Sequence, residues 1–167
     1  MKSNDGLEAF WQSFSSFCPF NSSAIQHLHL LGLDELPETD AKGRKAIDGY
    51  KMSWEGTIPP DWDNGSGNMH GAAAAYIVDL CTSAAIMIHT TSEFWGPPLV
   101  AGVSLAINMT YLHPAKIGTE ILVEVEVLKC SATTANLICN ILDRSSHQLL
   151  ASGTHMKAWI PKLRSKL

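Results

Sequence analysis

At 167 residues, with a formal net charge of -4 and a pI near 5.9, the chain is long enough for one well-buried core and too short for two. This balance, without a basic stripe carrying interleaved aromatics, argues against a nucleic-acid partner. The longest apolar stretch is broken by Asp79, Thr82 and Ser83 before it reaches the roughly 18 to 20 apolar residues of a membrane span, so a soluble protein is expected.

The opening MKSNDGLEAFWQ has acidic residues and no Arg, unlike a secretory signal or a mitochondrial presequence. Phe10, Trp11, Phe14 and Phe17 recur at helical spacing and stop before Pro19, which predicts an amphipathic helix over 5–17 that docks its aromatics on the rest of the protein. A second short helix is expected from the Asn21, Ser22, Ser23 cap to Gly32. His27 and His29, two residues apart, would point to different faces of it and make no metal pair. The charged stretch 34–45 reads as a surface connection, so that residues 1–45 form an N-terminal helical extension.

Residues 46–58 read as the first strand, with Trp54 as a core or interface anchor. The loop PPDWDNGSGN then leads into the helix ending at Met87. Ala72 to Ala75 are strong helix formers, and Ile77, Val78, Leu80, Ala84, Ala85 and Ile86 leave no solvent face, which places the helix in the core. Its one carboxylate, Asp79, needs an explanation, because burying an unpaired charge costs several kcal/mol or more. It is either a structural Asp bonded to Thr82, Ser83 or backbone, or a poised acid, base or nucleophile.

SEFWGPP breaks the regular structure after the helix. Residues 99–112 form a nearly continuous apolar strand, as for the middle of a sheet, with Ser104, Asn108 and Thr110 on one face and Leu105, Ile107 and Met109 on the other. HPAKIGTE is a turn. In 119–129, Ile121, Val123, Val125 and Val127 alternate inward against Glu120, Glu124 and Glu126, whose row is a solvated face and not an acidic site. Strands over 133–142 and 148–159 follow, the last stopped by Pro161. One strand, a long buried helix and four strands in an antiparallel meander make an α+β unit over 46–160 in which one sheet wraps one helix.

Cys18, Cys81, Cys130 and Cys139 are scattered without CxxC spacing, as reduced structural thiols of an intracellular protein, and no metal site is expected. The tail, 161–167, ends in Ser165, Lys166 and Leu167. That tripeptide reads as a peroxisomal address recognised by an import receptor; as an ordinary basic tail it would leave the protein cytoplasmic.

From about Ala46 to Trp159 the chain resembles the hotdog-fold acyl-CoA thioesterases, in the branch of phenylacetyl-CoA thioesterase and thioesterase superfamily member 2. The matching pieces are Asn64 six residues before His70, His70-Gly71 at the helix start, Asp79 eight residues after Gly71, Gly102-Val103-Ser104, and YLHPAKIG from Tyr111 to Gly118. The resemblance implies a hotdog fold, hydrolysis of acyl-CoA to free acid and CoA, and a homodimer or homotetramer. It implies no cofactor, since CoA is part of the substrate. By the same resemblance Asp79 is the general base or nucleophile, Ser104 helps hold the attacking water, and Asn64 with the Gly71 N–H binds the thioester carbonyl. Ala72 stands where the family commonly has a second glycine, which implies a slightly tighter pocket mouth. His70 is either catalytic or a structural support of the loop before the helix. Lys116 is a candidate for a CoA phosphate, against a plainly solvated lysine.

Physics adds a constraint. Thioester hydrolysis passes through an oxyanion, and the first N–H groups of a helix lack internal partners and sit at its positive end, where a glycine admits close approach. Gly71 and Asp79, however, are about 12 Å apart along one helix and about 80° out of phase, so they cannot touch one carbonyl carbon. If both act, Asp79 must come from a second subunit in a two-fold dimer. Two other readings remain at this stage: an enoyl-CoA hydratase or dehydratase pairing His70 with Asp79, and a non-catalytic acyl-CoA binding module. Asn64 and Ser104 favour hydrolysis.

Overall fold

The computed structural model describes residues 4–159 apart from Cys18, Glu93 and residues 96–99. Pro161, the terminal tripeptide and much of SEFWGPP therefore lie outside the described residues. Helices α1 (Asn4–Phe17), α2 (Ser22–Ile25) and α3 (Gly71–Met87) accompany six strands: β1 (Leu28–Leu33), β2 (Lys51–Thr57), β3 (Val103–Tyr111), β4 (Glu120–Cys130), β5 (Thr134–Asp143) and β6 (Leu149–Ala158). All pairings are antiparallel, in the order β1-β2-β4-β5-β6-β3. The sheet packs against α3, and this is the hotdog arrangement.

The alternation in β4 explains how the two layers meet. Ile121, Val123, Val125 and Val127 are all buried, while Glu120 and Glu124 are exposed. Each such side chain contributes roughly 1.5–3 kcal/mol when fully removed from water. Trp54 on β2 is fully buried, as a core anchor. Trp11 and Phe14 of α1 dock as their spacing predicts. The Trp11 ring lies 5.5 Å from that of Trp54, and its Nε1–H donates to the Leu28 carbonyl at 2.6 Å.

Five expectations need correction. The helix expected to run to Gly32 is only one turn long, and the chain continues as β1 on the edge of β2. Asn21 makes no side-chain cap bond, whereas Leu28 and Leu30 alternate into the core with His29 and Leu31 outside. That is a period of two, and it wins because β2 offers a free edge. Gly56 makes the approach possible, since a Cβ there would overlap the His27 carbonyl.

The four later strands are not one meander. Only β4-β5-β6 run in sequence order, and β3 lies beyond β6. Nor is β3 a central strand, because its apolar residues Val103, Leu105 and Tyr111 are 41 %, 56 % and 56 % exposed on an open edge. The face assignment of Ser104 changes as well. A bulge between Ser104 and Ala106 puts Ser104 on the α3 side together with Ile107 and Met109, because one extra residue reverses the alternation.

Finally, α3 is less enclosed than its composition suggests. Ala72 is exposed and Ala75, Tyr76, Asp79 and Ser83 are half-buried, a stripe at helical spacing that the sheet leaves partly open. A helix lying on one face of a sheet keeps such a stripe open however apolar its sequence.

Candidate active site

The N-terminus of α3 is built by the loop before it. Asp63 Oδ1 accepts the N–H groups of Gly65 and Gly67, and Asn64 Oδ1 accepts that of Ser66 at 2.8 Å, so both side chains shape the turn. Gly65 and Gly67 take φ of +85° and +75°, which glycine alone adopts without strain. The Asn64 oxygen is thus occupied and its NH2 is left without a partner among the described residues. His70 caps the helix, Nδ1 accepting the Ala72 N–H at 3.0 Å. The amide before it, Gly71 N–H, has no hydrogen-bond partner among the described residues.

Asn64 and Gly71 line one cleft of about 400 Å³ with Tyr111, His113 and Pro114. Tyr111 closes over the helix end, its hydroxyl donating to the Gly71 carbonyl at 3.0 Å. A Cβ on Gly71 would lie 3.2 Å from the Tyr111 ring, so glycine keeps the approach to this amide open. Lys116 is exposed in the turn beyond β3 and meets the loop through a backbone bridge to Asn68.

Asp79 belongs to a second cluster, two turns along the helix. Ser104 Oγ donates to Asp79 Oδ1 at 3.2 Å, and His155 Nε2 lies 2.9 Å from Ser104 Oγ and 3.7 Å from Asp79 Oδ1. Thr82 and Ser83 do not satisfy the carboxylate. Thr82 Oγ1 donates to the Val78 carbonyl at 2.6 Å and sits 2.6 Å from His155 Nδ1, while Ser83 accepts from Lys157. The Asp79 side chain is 46 % exposed, which leaves room for water or a substrate atom.

His155 is 1 % exposed, and burial pushes its pKa down, Lys157 adding to the effect and Asp79 opposing it. A neutral ring has one N–H. On Nε2 it donates to Ser104, freeing the Ser104 hydroxyl proton for Asp79, while Nδ1 accepts the Thr82 proton, which then leaves the Val78 carbonyl. On Nδ1 it donates to Thr82, which keeps its bond to Val78, and Ser104 turns its proton to the ring. The first tautomer puts the Ser104 proton on the carboxylate, and the second keeps Thr82 bonded to Val78.

The sequence-predicted residues thus fall into two groups: Asn64, His70 and Gly71 at the helix start, and Asp79 with Ser104 in its middle. His155, Lys157 and Tyr111 escaped sequence reasoning as site residues. A signal for two of them existed, because Gly153, His155 and Lys157 share one face of β6 with Ala151, and that face is buried.

The sequence profile of the thioesterase superfamily matches residues 66–149, which contain α3, Asp79 and Ser104. The chain belongs to the thioesterase superfamily. It is 33 % identical over 107 residues to mouse acyl-coenzyme A thioesterase 13, covering 64 % of this chain and 71 % of that one. Among solved structures, mouse thioesterase superfamily member 2 aligns with a TM-score of 0.70 at 25 % identity, covering 95 % of this chain and 98 % of the other. The zebrafish member 2 aligns at 0.71 and 24 %, with 95 % and 99 % covered. This protein is therefore a thioester hydrolase, and both groups of residues belong to a hotdog thioesterase.

Proposed function

We propose that this thioesterase hydrolyses acyl-CoA esters to the free acid and CoA, with Asp79 as general base or nucleophile and with Asn64 and the Gly71 N–H binding the thioester carbonyl. The observation that carries the reading is the Ser104 hydroxyl on the Asp79 carboxylate at 3.2 Å, on an open stripe of α3. A carboxylate with one oxygen held and its side chain half open is equipped to orient a water molecule. As general base, Asp79 takes a proton from that water while its oxygen attacks the carbonyl carbon. The oxyanion collects on Asn64 and Gly71 N–H, and its collapse expels the CoA thiolate, which takes up a proton. The name of the mouse relative, an acyl-coenzyme A thioesterase, supports this substrate class.

The complete site is read as shared between two subunits. Eight residues of helix separate Gly71 from Asp79, about 12 Å. Asn64, His70 and Gly71 of one chain would face Asp79 and Ser104 of the other across a two-fold axis. The open edge of β3, with exposed Val103, Leu105 and Tyr111, supports a homodimer, from which a tetramer could be built. His70 is read as structural, since its Nδ1 is engaged in capping α3. Lys116 is kept as a candidate for a CoA phosphate on the strength of its exposure near the cleft. We extend the proposal to location: Ser165, Lys166 and Leu167 form a peroxisomal address.

The test is thiol release from a panel of acyl-CoA esters of varied length and shape. Wild-type protein should release CoA, and Asp79→Asn should lose nearly all of that activity. Unchanged release in the variant overturns the assignment of Asp79. Hydration of an enoyl-CoA, or tight binding without turnover of any ester, overturns the reaction.

A further inference from the structure

The short turn between α1 and α2 carries the most exposed large apolar side chain among the described residues. The Phe20 ring is 75 % exposed, yet the chain on either side of it is tied down. The Phe20 carbonyl accepts the Tyr76 hydroxyl, and the two rings meet edge-on with centroids 5.0 Å apart. The next residue, Asn21, is buried and donates from Nδ2 to the Phe14 carbonyl at 3.4 Å, and Ala24 and Ile25 of α2 are buried in the core. The ring is thus held out in water by well-anchored neighbours, and it forgoes most of the stabilisation that burying a phenyl group gives. An aromatic side chain fixed in that way calls for a use.

Where it is held matters. Tyr76 belongs to the open stripe of α3, one helical turn before Asp79, a spacing that puts their Cβ atoms about 5–6 Å apart. Side chains of a helix lean toward its N-terminus, so the Tyr76 ring reaches away from the carboxylate and Phe20 extends the aromatic surface. The stripe changes chemistry at Asp79. Toward the start of the helix it shows Ala72, Ala75 and Tyr76, whose hydroxyl is already bonded. Toward the end comes Ser83, which accepts from the Lys157 ammonium at 2.8 Å. An apolar group attached to a carbonyl at Asp79 therefore finds apolar surface along this stripe in the direction of Tyr76 and Phe20.

We propose that Phe20 and Tyr76 are specificity-determining residues of the thioesterase site: their rings form an apolar wall along which the acyl group of the substrate lies. The segment ahead of the hotdog unit then favours acyl groups long enough to reach it. The inference rests on the reading of Asp79 as the acting carboxylate. Neither ring touches a reacting atom, and their contribution begins where the chain meets them.

The experiment uses the full chain and compares wild type with Phe20→Ala and Phe20→Leu on saturated acyl-CoA esters of two to fourteen carbons. Inhibition by free CoA and the oligomeric state are measured alongside. Each methylene withdrawn from water is worth about fourfold, so two of them lying on the ring predict a fall in kcat/KM of about 10-fold for Phe20→Ala on the longest esters. The fall should be much smaller on acetyl-CoA, whose methyl group does not reach the ring, and Phe20→Leu should recover part of the loss. A loss equal at every chain length reduces Phe20 to holding its segment on α3 and overturns the proposal, as does an unchanged length profile. Weaker inhibition by CoA would assign the ring to the CoA half of the substrate, and a shift to smaller assemblies would assign it to a subunit contact; either overturns the wall. If wild type turns over no ester, the reaction assigned above fails, whereas calorimetric binding of decanoyl-CoA and acetyl-CoA to wild type and Phe20→Ala still decides the wall. A loss of affinity confined to the longer ester sustains it, and equal affinities overturn it.

Discussion

His89 offers the sharpest test of the physical reasoning. It is fully buried just past the C-terminal end of α3, edge-on to the Tyr50 ring at 4.2 Å, and neither ring nitrogen has a partner among the described residues. Burial, supported by Lys45, pushes its pKa from 6.5 to about 4. The unfolded chain therefore binds a proton between about pH 6.5 and 4 that the folded chain refuses. The contribution is fully present above pH 6.5 and is lost as pH falls toward 4, roughly 3 kcal/mol in all and about 2 kcal/mol at pH 5. His89→Leu forfeits the ring contact, about 0.5–1.5 kcal/mol, and removes two unpaired nitrogens, each of which costs about 1–3 kcal/mol to bury. The variant should be more stable than wild type by about 0.5 kcal/mol or more at pH 8 and should gain a further 2 kcal/mol or so on it at pH 5. With a urea m-value of about 2 kcal/mol/M, the separation of the midpoints should be about 1 M larger at pH 5 than at pH 8. Urea unfolding followed by fluorescence at both pH values measures this. Curves for wild type and His89→Leu that run parallel with pH would refute the argument, because they would mean that the ring is solvated or hydrogen-bonded.

Two further predictions concern the site and a third the C-terminal tripeptide. Ser104→Ala removes the hydroxyl that Asp79 accepts at 3.2 Å, a hydrogen bond to a charged group worth about 1.5–3 kcal/mol, so kcat should fall roughly 10- to 100-fold with KM little changed; an equal rise in KM would place Ser104 in ground-state binding. Asn64→Ala and Asp79→Asn, each nearly inactive alone, should recover about a quarter of wild-type activity when unfolded and refolded together, since half of the random dimers then carry one intact site. No recovery would argue for a site within one chain. A fluorescent protein fused ahead of residue 1, leaving Leu167 free, should collect in peroxisomes, and deletion of residues 165–167 should disperse it.

The candidate site was legible where chemistry sits next to punctuation in the chain. Asn64 is in a turn marked by Gly65 and Gly67, His70-Gly71 opens a run of alanines, and Asp79 is the lone charge in an apolar helix. Ser104 was singled out, but its face was assigned to the wrong side, because the bulge before Ala106 leaves no mark in a continuous apolar run. His155 and Lys157 were passed over for a related reason. A strand's alternation shows that two faces differ, and when the buried face carries Gly, His and Lys it does not look buried.

What the sequence by itself determined is local. Helix α3 and its N-terminal turn, the alternation of β4, the docking aromatics of α1 and an α+β plan all follow from periodicities of 3.6 and 2 and from Gly and Pro positions. The thioesterase motif spacing belongs with these. Only the tertiary structure decided that β3 lies beside β6 at an open edge, that Leu28–Leu33 is a strand, and that Ser104, His155 and Lys157 gather around one turn of α3. The physical reason is range. Helix and strand propensities act over a few residues, whereas sheet order depends on which edges are left free. The cluster at Asp79 joins Ser104 and His155, 25 and 76 positions away from it in the chain, and their proximity is a product of the pairing of β3 with β6 over α3.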